Sequence, residues 1–353
     1  MKKLILLLFT MVGVFVLAAC NSEETATKEN AKGENNVKET SLAPAPLSKP
    51  ANIKIGYPTQ GVSQLPLWVA KDTGILEKYG VNAELIYIAG SPRVQETLNG
   101  GGIDVGVSGI EAAGNAKVAG IDSVTFTALA NKIKVYIYAS KNIDTKNLKE
   151  SMKGKTIIAG VEGSLYDYLA QSYIKNLGLE PKKDVKFLYM GGEGDRTAAF
   201  IKGDADFYLV APPTSFKMDD MGYPKVHDFS KQEVLIPGLV MKKDYFNQNK
   251  ELAEVLAASL IEANAYIKNN KEETLKIITK WTGMDDPELV KKTYEANLDT
   301  IPVKPYSTDE TVQFYLDNSK VAEVKAMKPA DLVDNSIIKK LDESGFIDQV
   351  FKK

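Results

Sequence analysis

The sequence predicts an α/β fold in two lobes, followed by a helical C-terminal part. Between residues 52 and 130, short β-rich runs alternate with helical stretches, the pattern of βαβ units and a mainly parallel sheet. After residue 140 the same alternation restarts, giving two successive α/β units of roughly 90–100 residues each. From residue 245 onward the pattern is almost wholly helical with one-sided apolar stripes. A chain of 353 residues has room for these parts and for a real core.

The chain opens with Lys2 and Lys3, an apolar run over residues 4–16 and Leu17-Ala18-Ala19 before Cys20. The run is shorter than the ~18–20 residues that span a bilayer. A positive start, a short apolar core and small residues before a cut point read as a secretory signal over residues 1–19. Cys20 directly after Leu-Ala-Ala resembles the bacterial lipoprotein signal, in which that thiol is lipidated. Residues 20–51 are polar and charged, then Pro-rich, and without aromatics. Such a segment buries too little surface to fold and reads as a disordered tether of roughly 30 Å reach.

From Asn52 the first unit reads as strand 53–57, helix 65–80 ending at Gly80, and strand 83–88. A helix over 92–100 follows, then strand 103–108, a small-residue helix 109–120 and strand 123–130. Residues 134–140 form a further β-rich run before the grammar restarts. The second unit reads as strand 155–160, helix 164–178, strand 185–190, helix 195–203 and strand 206–210. In the helical part, residues 251–270 carry apolar side chains at 252, 255, 256, 260 and 261. That stripe packs most economically on the sheet of the first lobe.

Composition narrows the function. The 44 basic and 46 acidic residues give a net charge of −2, without the basic excess of a nucleic-acid binder. One Cys excludes an intrachain disulfide framework or a Cys-cluster metal site. One His, His227, excludes a multi-His zinc site and disfavours general-base catalysis. Gly154-Lys155-Thr156 ends like a phosphate loop, but the earlier Gly falls at Lys149. Gly192-Glu193-Gly194 lacks the third glycine of a dinucleotide fingerprint. Gly106-Val107-Ser108-Gly109 nearly matches a nucleophile elbow, but residue 110 is Ile. These motifs leave a binding protein rather than an enzyme. Glu193 and Asp195 read as solvated loop carboxylates.

The chain uses only two Arg, Arg93 and Arg196. Both fall at or near helix starts after strand-Gly segments, where a planar guanidinium suits capture of carboxylate, sulfonate or phosphate oxygens. Structural ion pairing is the alternative for each. Ser91, Ser108 and Ser164 lie at strand ends beside glycines, where open α/β sheets bind ligands and where capping is the competing role. Tyr57, Trp68, Tyr166, Tyr168 and Tyr208 bring aromatics near the same loops. Trp68 reads as core, and Tyr166 as a cover for an apolar or ring-bearing ligand.

The segments KIGY, LPLWVAKDTGILEKYGVNAELIYIAGS, ETLNGGGIDVGVSG, MKGKTIIAGVEGSLYDYL and AAFIKGDADFYLVAPP together resemble a known family. It comprises the solute-binding proteins of nitrate/sulfonate/taurine-type ABC importers, which also include binders of thiamine-precursor pyrimidines. The resemblance covers residues 52–320 and is most specific in PLWVAKDTGILEKYGV, IDVGV and GDADFYLV. It implies a periplasmic-binding-protein fold of type II, two lobes with two crossover connections. Lobe one takes residues 52–138, lobe two 139–240, and the C-terminal helices 241–353 return to lobe one.

The resemblance places the ligand between the lobes. The cleft loops map to Thr59, Gln60 and Gln64, Gly90-Ser91, Ser108-Gly109, Glu162-Gly163-Ser164 and Ala211-Pro212, with Arg93, Tyr166 and Arg196 beside them. Two departures keep the substrate open: Glu162 precedes the Gly-Ser pair, and residues 211–213 read Ala-Pro-Pro. Arg93 with Glu162 suits a zwitterion such as an aminosulfonate, and Glu162 with Tyr166 an aminopyrimidine. The implied protein is a monomer without a cofactor, lipid-anchored at Cys20 on the extracytoplasmic face of the cell membrane. It captures a small anion or zwitterion of the sulfonate, taurine or nitrate class and delivers it to a permease–ATPase complex, with no nucleic-acid partner.

Overall fold

The computed structural model describes residues 42–231, 237–319 and 321–352. The signal segment and Cys20 lie outside the described residues. The strands in chain order are β1 (Ala51–Tyr57), β2 (Val81–Tyr87), β3 (Val105–Ser108), β4 (Ser123–Ala128) and β5 (Tyr136–Ala139). They continue with β6 (Thr156–Ile158), β7 (Lys186–Leu188), β8 (Phe207–Val210), β9 (Lys225–Asp228) and β10 (Gly238–Lys242). The helices are α1 (Leu65–Asp72), α2 (Ile75–Lys78), α3 (Ser91–Asn99), α4 (Ile110–Val118), α5 (Leu148–Met152), α6 (Leu165–Asn176), α7 (Glu193–Lys202) and α8 (Thr214–Asp220). The C-terminal part adds α9 (Lys243–Gln248), α10 (Lys250–Asn269), α11 (Lys271–Thr282), α12 (Pro287–Asn297), α13 (Asp309–Asn318), α14 (Ala322–Lys325), α15 (Ser336–Glu343) and α16 (Phe346–Phe351).

These strands form two five-stranded sheets among the described residues, ordered β2-β1-β3-β10-β4 and β7-β6-β8-β5-β9. The two orders are the same pattern, each with one antiparallel strand in its fourth place. That strand is the first one after each crossing of the chain: β5 on entering lobe two, β10 on returning to lobe one. The expected α/β architecture of two lobes joined by two crossovers is therefore present. The strands on either side of each crossing trade places relative to the sequence reading. β5 belongs to the second sheet, and β10, read as part of lobe two up to residue 240, to the first. Gly238 shows why β10 enters this way. It pairs with both Ser108 and Ala128, and a Cβ there would stand 2.4 Å from the Thr127 carbonyl oxygen.

β1 alternates buried Ile53, Ile55 and Tyr57 with exposed Asn52 and Lys54, so one face enters the core. β4 is buried throughout, which fits a strand covered on both faces. One core joins the first sheet to α1, α10, α15 and α16 through Trp68, Phe126, Leu256, Ile261, Ile338 and Phe346. The C-terminal helices pack on lobe one as expected. The 332–334 segment also hydrogen-bonds to Thr125, covering the β4 edge. A separate core fills lobe two around Ile137, Ile157, Leu169, Phe207 and Phe229.

The tether assignment extended too far. Residues 42–50 lie against lobe one: the Leu47 N–H donates to the Tyr79 carbonyl at 3.1 Å, and Ala43 and Leu47 join the core. Four apolar residues among Pro, Ser and Lys suffice to dock this stretch once a preformed surface is available.

Candidate functional site

Strand C-termini of both sheets open onto one cavity between the lobes, about 1160 Å³ including space open to solvent. Lobe one contributes the 58–64 loop, Gly90-Ser91 and Gly109. Lobe two contributes Gly160-Val161, Ser164-Leu165-Tyr166, Gly191, Glu193, Arg196, Ala211 and Pro212. The remaining wall comes from the first crossover, residues 130–135, with Pro237 and α12. Much of the lining is apolar, including Val62, Ile133, Val135, Val161, Leu165 and Pro212.

Four helices begin at this cavity: α3 after Gly90, α4 after Gly109, α6 after Ser164 and α7 after Gly192. At none of the four does the residue before the helix cap it with its side chain, and acidic residues stand in the first turns of α4, α6 and α7 (Glu111, Asp167, Glu193 and Asp195). Each helix start presents the positive end of its dipole. Their convergence makes an anion-binding environment. The Ser164 Oγ is buried without a partner. Ser91 is buried, and its Oγ accepts the Gly109 N–H at 3.2 Å, leaving its own proton to donate into the cavity.

Arg196 is only 7% exposed. Its guanidinium donates to the carbonyls of Met190 and Gly191 at 3.2 and 2.8 Å and lies 5.7 Å from the Tyr166 ring centroid. Glu193 stands 4.0 Å away and accepts from the Thr214 hydroxyl. The Arg196 Nε has no partner. Burial, then the Glu193 charge, pushes the Tyr166 hydroxyl pKa up, so it is a neutral donor in the wall.

Behind Gly109 sits a buried carboxylate. Glu111 is 2% exposed, and neither oxygen makes a well-formed hydrogen bond. Burial raises its pKa to about 7, its own backbone N–H opposing that shift. Tyr168 of α6 and Tyr315 of α13 feel its charge, and their rings meet edge to face at 5.7 Å. The Tyr315 hydroxyl donates to the Glu111 carbonyl at 3.1 Å. Lobe two therefore touches this corner of lobe one through Tyr168.

The lobes also meet at the cavity loops. Gly90, at φ +90, would place a Cβ 3.1 Å from the Val161 side chain. Gly191 would place one 3.3 Å from the Ala89 Cβ, with no positive φ to demand glycine. Both loops approach so closely only because neither carries a side chain.

Of the residues singled out from sequence, Thr59, Gln64, Ser91, Gly109, Ser164, Tyr166, Arg196 and Pro212 line the cavity. Gln60, Arg93, Ser108 and Glu162 are outside its lining. Gln60 is exposed at the loop tip. Arg93 is exposed on α3 because two residues of helix carry it about 200° from Ser91. Ser108 is fully buried, accepting from the Gln95 amide at 3.0 Å and donating to the Gly109 carbonyl at 3.2 Å. It braces the turn that presents Gly109. Glu162 points to solvent and pairs with Lys182 at 2.5 Å. Trp68 is core, stacked on Trp281 at 5.5 Å. His227 lies away from the cavity lining, 4.4 Å from each of the Tyr173 and Phe229 rings, and burial lowers its pKa.

Sequence reasoning missed Lys132 and Lys134 of the crossover, and Thr293 and Asn297 of α12, all in the wall. No motif marks them; the only signal is a basic Lys-Ile-Lys between two strands. Among the described residues, no helix is long and apolar enough to cross a membrane, and no group of three or more His, Cys, Asp or Glu could hold a metal ion.

The chain is 20% identical over 305 residues to YtlA of Bacillus subtilis (strain 168), whose name assigns it a binding role, covering 84% of each chain. Its fold matches the alkanesulfonate-binding protein SsuA from Xanthomonas axonopodis pv. citri bound to MOPS, with TM-score 0.65, 19% identity and coverage of 82% of this chain and 100% of that one. It also matches the periplasmic nitrate-binding protein NrtA from Synechocystis PCC 6803, with TM-score 0.70, 16% identity and coverage of 85% and 89%. At such identities these two likenesses are of fold. Residues 47–283, more than half of the chain, match a family as a whole, and the protein belongs to the NMT1-like family.

Proposed function

We propose that this protein is the solute-binding component of an ABC-type importer and holds an organic sulfonate in the interlobe cavity. The observation that carries this reading is the convergence of four helix starts, none capped by the side chain of its preceding residue, on a cavity with apolar walls. The helix starts, Ser91, Ser164 and Arg196 suit a tetrahedral anionic head, and the apolar wall suits its carbon body. Nitrate has no body for that wall. A cationic pyrimidine finds no partner in Glu162, which faces solvent, and Glu193 is already engaged by Thr214 and Arg196.

The work is differential affinity: ligand contacts groups of both lobes only when they are closed. The closed protein, a monomer anchored by a lipid on Cys20 at the extracytoplasmic face of the membrane, presents its solute to a permease and ATPase. No step of this cycle needs catalysis.

Calorimetric titration of the full-length protein tests the reading with nitrate, methanesulfonate, propane-1-sulfonate, hexane-1-sulfonate and an aminopyrimidine. Sulfonates should bind, more tightly as the chain lengthens, and Ser164→Ala should weaken them by about tenfold, the loss of a hydrogen bond to a charged group. Tighter binding of nitrate or of the pyrimidine, or no sulfonate binding, overturns it.

A further inference from the structure

The cavity has a second polar end, opposite in origin to the helix starts. Lys132 and Lys134 enter its wall from the first crossover, and both approach one carboxylate, Asp299, at 3.9 and 2.9 Å. Two ammonium groups share this one carboxylate, Lys134 being the more buried of them. The same wall holds a fully buried side chain with an unpartnered hydroxyl, Thr293 Oγ1. Buried polar atoms without partners carry a desolvation cost that a bound polar group removes. Apolar side chains line the same cavity, with Ile133 and Val135 beside the two lysines and Leu165 at the start of α6.

We propose that the crossover end is a second anion subsite, and that the solute is a dianion: an organic sulfonate whose short carbon chain ends in a carboxylate. This rests on the sulfonate reading and adds to it the identity of the far end. The sulfonate sits on the helix starts and the carboxylate meets Lys132 and Lys134, with the Thr293 hydroxyl free to donate to it. The crossover residues lie at the junction between lobes. A ligand group bound there is held by the segment about which the lobes move, so the second charge helps to fix the closed form.

The test compares propane-1-sulfonate with 3-sulfopropanoate, equal in chain length, by titration calorimetry of the full-length protein at low ionic strength. The dianion should bind about fivefold more tightly, and added salt should shrink the ratio. The Lys132→Met/Lys134→Met double variant should abolish the ratio. Asp299→Asn, which frees both ammonium groups, should raise it by about threefold; thermal melts check that each variant is folded. If propane-1-sulfonate binds but the dianion binds no tighter, or if the ratio survives in the double variant, the subsite is wrong and the sulfonate reading stands. If neither ligand binds, both fall.

Discussion

Glu111→Gln is expected to raise the stability of the protein by about 3 kcal/mol at pH 8 and to leave it almost unchanged at pH 4. The cause is the burial of a carboxylate with no cation beside it among the described residues, at a corner closed by Tyr168 and Tyr315. In the folded protein burial raises its pKa to about 7 from the ordinary value of 4.5. The folded state therefore holds the proton where the unfolded chain has released it. Stability is fully present below about pH 4.5 and falls as pH rises toward 7, after which the loss is complete. A Gln keeps the shape and stays neutral, so this part of the pH dependence should vanish. Chemical denaturation of both proteins between pH 4 and 9 reads the difference directly. Parallel curves across that range would show that Glu111 is ionised and satisfied in the folded protein.

Gly191→Val should weaken ligand binding by about 10- to 100-fold while leaving the melting temperature of the ligand-free protein nearly unchanged. A Cβ at this position stands 3.3 Å from Ala89 of the other lobe, and the two further methyls of Val intrude more deeply. Overpacking of this kind costs about 1–3 kcal/mol, and here it arises only when the lobes are together. Gly194→Val, whose Cβ would meet nothing within 4 Å, is the matched control and should bind normally. Calorimetry and melting curves separate the outcomes. Equal affinity in both variants would mean that the 191 loop does not meet lobe one during binding.

The periodicities that made β1 through β4 readable are simple ones. Ile53, Ile55 and Tyr57 alternate with polar neighbours, and Gly80 closes the helical segment before β2. The crossings were harder. β10 is a short apolar run after Pro237-Gly238, and its destination in the first sheet is a long-range pairing that no local period encodes. β5 has a readable β pattern, but only its antiparallel pairings with β8 and β9 assign it to lobe two.

The site divides along similar lines. Ser91, Gly109 and Ser164 were legible because strand-Gly-helix junctions point their first residues at the cleft. Arg93 and Arg196 looked alike in sequence and differ by helical phase. Arg196 comes three residues after Glu193, about 300° of turn, which returns it to the face of the helix start, whereas Arg93 has turned away. Lys132 and Lys134 were invisible because their role depends on where the crossover runs, next to Thr300 and Asp299 from far along the chain.

The central claim is that the two lobes close over an organic sulfonate. Small-angle X-ray scattering of the full-length protein, with and without saturating propane-1-sulfonate, tests it most directly. The radius of gyration should fall when the sulfonate is added and should not fall with nitrate at the same concentration. A radius that stays constant while calorimetry records bound sulfonate would contradict the account.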